Sequence, residues 1–216
     1  MATAPEILAD LRRRLAERYP TAPRFAARAL RTGLAAIDDA TGGLPLGAVT
    51  ELVCAAPSCG SQLFLDQLLA VTRAARQRVA LVDGADCFDP ASHAADLLAH
   101  LVWIRCAGTA TALQAADLLA RDANLALVVL DLCGATETEL RCTPATQWYR
   151  LQRAVEPADL ALVVITPRAA VPSAQLRLIL NAPHSAAALE LERPALAATL
   201  APTLQRQRLL PRVAVA

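Results

Sequence analysis

Runs of valine, leucine and isoleucine alternate with amphipathic segments through most of the chain. Unbroken apolar runs of this length are typical of strands covered on both faces by helices. These runs are AVTELV (48–53), RVALVD (78–83), LVWIRC (101–106), LALVVLDL (125–132) and LALVVITP (160–167). The pattern therefore predicts an α/β fold with a mostly parallel, twisted sheet flanked by helices on both faces.

Helical periodicity appears between the predicted strands. The segments are QLFLDQLLAVTRAA (62–75), SHAADLLAHL (92–101), TALQAADLLARD (111–122) and ATQWYRLQRAV (145–155), with AAALELE (186–192) as a last regular segment. His93 and His100 are expected on one face of the second helix as ordinary surface residues, since two histidines without a third ligand do not define a metal site.

The first 20 residues predict a separate amphipathic helix. Leu8, Leu11 and Leu15 fall on one face, with arginines on the others. Prolines then end the helix, and residues 21–31 are expected to form a linker. This helix either folds back on its own domain or docks on a partner.

Residues 32–192 are assigned to the core and residues 193–216 to a tail. The tail has no acidic residue and is interrupted by prolines. Such a basic, apolar segment either packs across its own core or docks on a protein partner. The residues of the tail proposed for partner contact are Arg206, Arg208, Leu209 and Leu210.

Composition excludes several classes of function. The 216 residues contain no lysine, and 21 arginines against 20 acidic residues give a net charge of +1, so no global charge attracts nucleic acid. No apolar run is long enough to span a membrane, and the charged N-terminus is unlike a signal peptide, so a cytoplasmic protein is expected. The six cysteines form no CxxC pair and are expected to be reduced, with no metal site.

The stretch CAAPSCGSQLF (54–64) joins a predicted strand to a helix with the spacing of a phosphate-binding loop. The pattern G-x-x-x-x-G-K-[ST] falls here on residues 55–62. Gly60 is kept, but Ala55 replaces the first glycine, Ser61 the lysine and Gln62 the hydroxyl residue. The loop has thus lost the charge and the magnesium ligand that triphosphates require, and no cofactor is expected.

Four separated segments together resemble the core of the RecA recombinase family. They are TGLAAIDDATGGLPLGAVTEL (32–52), the degenerate loop, LVDGADCFDP (81–90) and LALVVLDL (125–132). The short chain and the lost loop chemistry are most similar to the ImuA family, the RecA-related accessory proteins of bacterial SOS mutagenesis. The resemblance covers about residues 30–190 and implies a RecA-like fold.

The resemblance also implies further losses of catalytic residues. The glutamate that polarises the attacking water aligns with Ala85, and the adjacent Asp86 would point to another side. Asp131 matches the Walker B aspartate, but a role in capping the next turn is the preferred alternative. The polar sensor pair falls on Thr166 and Pro167, and proline has no side-chain donor. No ATPase activity is therefore expected.

The loops expected to face DNA in a RecA-like core offer little for binding. Arg168 and Arg177 are the candidate DNA contacts, but the other loop is acidic and neither loop has an aromatic residue, so DNA binding should be weak or indirect. Trp148 and Tyr149 are a candidate pair of protein contacts on a surface helix, with core packing as the preferred alternative.

The function that the resemblance implies is that of an accessory subunit in translesion DNA synthesis after DNA damage. It would link an ImuB-type relative of Y-family polymerases to an error-prone replicative-type polymerase, with RecA as a further candidate partner and self-association open. Two alternatives remain open: a divergent RecA-like ATPase or recombinase, and a cell division inhibitor of the SulA type.

Overall fold

The computed structural model describes residues 28–207, and a seven-stranded sheet forms the centre of this region. Its strands are β3 (Ala48–Cys54), β4 (Arg78–Asp83), β5 (Leu101–Arg105), β6 (Leu125–Asp131), β7 (Ala161–Thr166), β8 (Leu176–Leu180) and β9 (Thr203–Gln207). Their order is β5-β4-β6-β7-β3-β8-β9, and every neighbouring pair is parallel except β8 and β9. Two short strands, β1 (Ala29–Leu30) and β2 (Leu44–Pro45), form a separate antiparallel pair.

Helices connect the strands and cover the sheet. They are α1 (Ala35–Thr41), α2 (Ser61–Ala74), α3 (Ala95–Leu98), α4 (Thr109–Leu119), α5 (Glu137–Cys142), α6 (Ala145–Val155) and α7 (Arg193–Ala198), with 3-10 turns at Pro90–Ser92 and Ala186–Glu190. The predicted α/β class with a mostly parallel sheet is confirmed, and the architecture is consistent with a RecA-like fold.

Two apolar cores lie on opposite faces of the sheet, because alternate strand residues point to opposite sides. In β6, Leu127 and Val129 face a core that includes the buried side of α2, whereas Val128 and Leu130 face a core with α4 and α6. All four side chains are fully buried. This double coverage explains why the strands read as continuous apolar runs.

The C-terminal part of the described chain packs on the core. Helix α7 packs against α2, and β9 adds an antiparallel strand beside β8. Arg193 forms an ion pair with Asp66 of α2 and donates to the carbonyl of Ser92 at 2.8 Å. Over residues 193–207 the structure therefore matches the alternative of a tail that packs across its own core.

Several predicted contact residues lie outside the described residues. These are Leu8, Leu11 and Leu15 of the predicted N-terminal helix, and Arg208, Leu209 and Leu210 of the tail. Within residues 28–207, no helix is both long and apolar enough to cross a membrane.

Candidate functional site

The degenerate phosphate loop lies at the carboxyl end of strand β3, between β7 and β8 in the sheet. The strand ends at Cys54, and α2 begins at Ser61. Gly60 immediately precedes the helix with a φ of +96°, a left-handed conformation that favours glycine. The retained glycine thus keeps the strand-to-helix turn that the sequence predicted.

The chain's own C-terminal segment covers this turn. A Cβ atom added to Gly60 would lie 2.5 Å from Cδ2 of Leu200 and 3.1 Å from Nε2 of His184. The backbone N–H of His184 also donates to the carbonyl of Ser58 at 3.0 Å. Leu200 and Cys59 are buried in the same apolar core. The loop is therefore packed beneath apolar and imidazole groups, a poor environment for a triphosphate.

The first turn of α2 supplies no positive charge to this loop. Ser61 and Gln62, which stand where the lysine and the hydroxyl residue would be, are half-buried. The next arginine along the chain, Arg73, lies in the last turn of α2 and is paired with Asp96, with 2.6 Å between Nη2 and Oδ1. Its guanidinium is engaged at the opposite end of the helix.

Two buried carboxylates lie side by side at the ends of β4 and β6. Asp83 and Asp131 are register partners and are 1% and 4% exposed. Burial raises the pKa of Asp131, although a hydrogen bond from the backbone N–H of Cys133 at 2.9 Å partly opposes this effect. The nearby charge of Asp83 raises it further. The same hydrogen bond from Cys133 shows that the carboxylate of Asp131 caps the turn after its strand.

Asp83 is equally committed to the local backbone. Its carboxylate accepts hydrogen bonds from the N–H groups of Cys87 and Phe88 at 3.0 and 2.9 Å. The indole Nε1 of Trp103 donates to it at 3.4 Å. Sequence reasoning did not select Asp83, although its place at a strand end beside Asp131 was a usable signal. Both acids hold turns in place and leave little capacity for a metal ion.

Ala85 and Asp86, at the position aligned with the water-activating glutamate, offer no free acid. The methyl group of Ala85 lies 2.5 Å from where a Cβ of Gly134 would be, so the two turns pack closely. Asp86 has a φ of +55° and forms an ion pair with Arg105. The hydrogen bond from Arg105 lowers the pKa of Asp86. A carboxylate held in this way is a weak base.

The prediction that Arg177 contacts DNA is wrong. Arg177 lies within β8, is 9% exposed, and its Nε donates to Glu51 at 2.5 Å. Its Nη2 donates to the carbonyl of Val171 at 2.9 Å. Glu51 is fully buried and also accepts from the hydroxyl of Thr166 at 3.1 Å. The arginine is retained inside the protein because it neutralises a buried carboxylate.

The other candidate DNA contact, Arg168, lies at the surface. Its side chain is 42% exposed and pairs with Glu137 of α5 at 2.5 Å. Glu137 therefore competes with any phosphate for the guanidinium of Arg168. Neither arginine selected from the sequence is thus a free cation.

Trp148 belongs to the core. It is 1% exposed and packs with the α4–α6 side of the sheet, whereas its neighbour Tyr149 is 48% exposed. The alternative of core packing is therefore correct for Trp148, and only Tyr149 is available to a partner. Arg206 lies in β9 and donates to the carbonyl of Pro172 at 3.3 Å.

The expectation for the two histidines is also wrong. Helix α3 covers only Ala95–Leu98, so His93 and His100 lie on either side of it. His93 is buried, bonds to Asp66 and stacks on Phe88 with ring centroids 4.7 Å apart. Nε2 of His100 lies 2.9 Å from the hydroxyl of Thr72. The histidines join loops to α2 and do not form a surface pair.

Three thiols lie together at the degenerate loop, and none of them forms a disulfide in the structure. Cys54, Cys59 and Cys133 contribute to the same apolar core. Hydrogen bonding to Cys133, together with burial, strongly raises the pKa of Cys54. Its thiol therefore stays protonated at neutral pH and is a weak nucleophile. Among residues 28–207, no group of histidine, cysteine and acidic side chains is arranged to hold a metal ion.

No protein-family model matches the chain, and no curated protein matches it.

Proposed function

We propose that this chain is a non-catalytic accessory protein that acts through protein contacts. The observation that supports this proposal best is the covered turn at Gly60, where Leu200 and His184 pack on the loop that would hold phosphates. Replacement of the loop lysine by Ser61 and commitment of Asp131 to a backbone cap point in the same direction. A loop that lacks the lysine and the magnesium ligand, and that is covered at Gly60, is without the main parts used in phosphoryl transfer.

The process proposed for this protein is translesion DNA synthesis during SOS mutagenesis. The order of four sequence segments and the mostly parallel sheet support a RecA-related, ImuA-type protein. In this role the chain would work in the cytoplasm and bind an ImuB-type polymerase relative and an error-prone replicative-type polymerase. RecA is a further candidate partner.

Nucleotide binding is the first test of this proposal. We expect titration calorimetry of the full chain with Mg-ATP to show no saturable heat, and a coupled assay to show no phosphate release above the buffer rate. An Asp131→Asn variant is the matched control for contaminating ATPases. Saturable ATP binding, or phosphate release that disappears in this variant, would refute the non-catalytic role and favour a divergent ATPase.

Partner capture is the second test, and the structure determines where the chain can be shortened. A deletion from residue 194 would remove α7 and β9, which pack on the core. Deletions of residues 1–20 and of 208–216 leave the described elements intact. We expect the full chain to retain a co-encoded ImuB-type protein in a pull-down and at least one deletion to lose it. Failure of the full chain to retain it would refute the polymerase-linking role.

A further inference from the structure

A basic cleft with an exposed aromatic ring lies beside α6, away from the degenerate loop. It has a volume of about 580 Å3, and we call it the α6 cleft. Its lining residues are Arg121, Thr146, Tyr149, Arg150, Arg153 and Ala154. Sequence reasoning considered Tyr149 only together with Trp148. Arg121, which lines the same cleft, comes from the turn that follows α4.

A nearly buried carboxylate orients two of the three guanidinium groups. Asp117 is 8% exposed at its side chain and accepts from Nε and Nη2 of Arg150 at 3.1 and 2.7 Å and from Nη2 of Arg121 at 3.1 Å. Burial raises the pKa of Asp117, but the hydrogen bonds and charges of the two arginines outweigh it and keep the pKa below its usual range. The carboxylate therefore stays charged and holds both side chains in place.

Both arginines retain donors that face solvent. Their side chains are 55% and 62% exposed, and a guanidinium has five N–H donors, of which Asp117 uses one from Arg121 and two from Arg150. Because these groups are already fixed, a ligand would lose less conformational entropy by ordering them.

The remaining residues of the cleft add charge and an aromatic surface. Arg153 is exposed and forms no ion pair with any residue in 28–207, so the cleft holds three guanidinium groups against one carboxylate. Tyr149 lies four residues before Arg153, on the same face of α6, and nearly half of its surface is free. A planar ring thus shares one open surface with three cations, of which Arg121 and Arg150 are paired with Asp117 and Arg153 forms no ion pair within residues 28–207.

We propose that the α6 cleft binds single-stranded nucleic acid, with phosphates on the arginines and one base stacked on Tyr149. A single strand alternates one anionic group with one flat ring at every nucleotide, which is the combination that this cleft offers. The guanidinium fork matches phosphate geometry. An acidic peptide would supply the charges without a matching ring. The inference does not depend on the accessory role, which requires only protein contacts.

The test is binding of the full chain to a fluorescein-labelled oligo(dT) of about 15 nucleotides, followed by anisotropy at several salt concentrations. In the Arg153→Gln variant, we expect affinity to fall about eightfold at about 50 mM salt and the slope of log K against log salt to shrink by about 0.7. Tyr149→Ala should weaken binding at least about fivefold, whereas Tyr149→Phe, which keeps the ring, should not.

Arg76→Gln is the matched control, because Arg76 is exposed, follows α2 on the other face of the sheet and, like Arg153, forms no ion pair within residues 28–207. It should change affinity far less than Arg153→Gln. Equal losses in the two variants would show that general charge, and not the α6 cleft, holds the strand, and would overturn the inference. It would also be overturned if the full chain failed to bind oligo(dT), or bound an oligo-glutamate peptide more tightly through Arg153.

Discussion

Replacement of Arg177 by methionine should lower the free energy of unfolding. Because Arg177 is buried, it should leave functions of the protein surface unchanged. Arg177 is the counterion of Glu51, which has no exposed side-chain surface. Glu51 also accepts from the hydroxyl of Thr166 and from the backbone N–H groups of Ala170 and Val171. These contacts hold the loop between β7 and β8. Without the guanidinium, a carboxylate would remain buried with hydrogen bonds but no opposite charge.

The expected cost follows from the burial of this pair. Removal of one partner of a buried ion pair costs about 3 to 5 kcal/mol, and the 10% exposure of the Arg177 side chain places the loss near the lower value. With a urea m-value of about 2 kcal/mol/M, a loss of about 3 kcal/mol lowers the unfolding midpoint by about 1.5 M.

The assay is urea unfolding followed by circular dichroism, with Arg168→Met as the matched control. Arg168 and Glu137 form an exposed pair, so this variant should lose less than about 1 kcal/mol. The double variant Glu51→Gln/Arg177→Met should recover part of the loss, since no buried charge remains. If Arg177→Met cost no more than Arg168→Met, the buried pair would not have the role described for it.

Three further predictions concern α2 and α6. Burial raises the pKa of Asp66, but hydrogen bonds and charge interactions with His93 and Arg193 outweigh burial. The pKa of Asp66 in the folded protein therefore lies below its value in the unfolded chain. The stabilisation is therefore present above about pH 4 and lost at lower pH, and the destabilisation of Asp66→Asn in urea unfolding should shrink as the pH falls below about 4. The double variant Ser61→Lys/Gln62→Thr restores the lysine and the hydroxyl residue of the loop. It should still show no ATP binding by calorimetry, because the C-terminal segment covers the turn, and saturable binding would contradict this. In thermal unfolding, Trp148→Ala should lower the free energy of unfolding by about 3 to 5 kcal/mol, and Tyr149→Ala by less than about 1 kcal/mol. Equal losses would show that Trp148 does not lie on the buried side of α6 with Tyr149 on its exposed side.

Local patterns were sufficient for five of the seven strands of the main sheet. The continuous apolar runs predicted β3 to β7 closely. Strands β3, β4, β6 and β7 are buried on both faces and need apolar residues at nearly every position, whereas β5 lies at the edge of the sheet and is only partly buried. Helices α2, α4 and α6 were also predicted, since each has an apolar stripe with helical spacing.

The strand β8 could not be predicted in this way. The sequence LRLIL places an arginine at its second position, which suggests an exposed loop, and the compensating Glu51 lies 126 residues earlier. The candidate site could likewise be predicted only in part. The loss of the phosphate-loop lysine was visible at Ser61, but the packing of Leu200 on Gly60 joins segments that only the folded chain brings together.

The position of β9 has a consequence for synthesis of the chain. Because this strand ends at residue 207, the outer edge of β8 remains unpaired until translation has passed that point. At about 5 to 20 residues per second, the rest of the sheet can assemble before its last strand is made. Nascent chains, or chains that end before β9, would then expose an edge able to pair with another molecule. Premature stop codons ahead of β9 should therefore produce aggregates in preference to shorter soluble proteins.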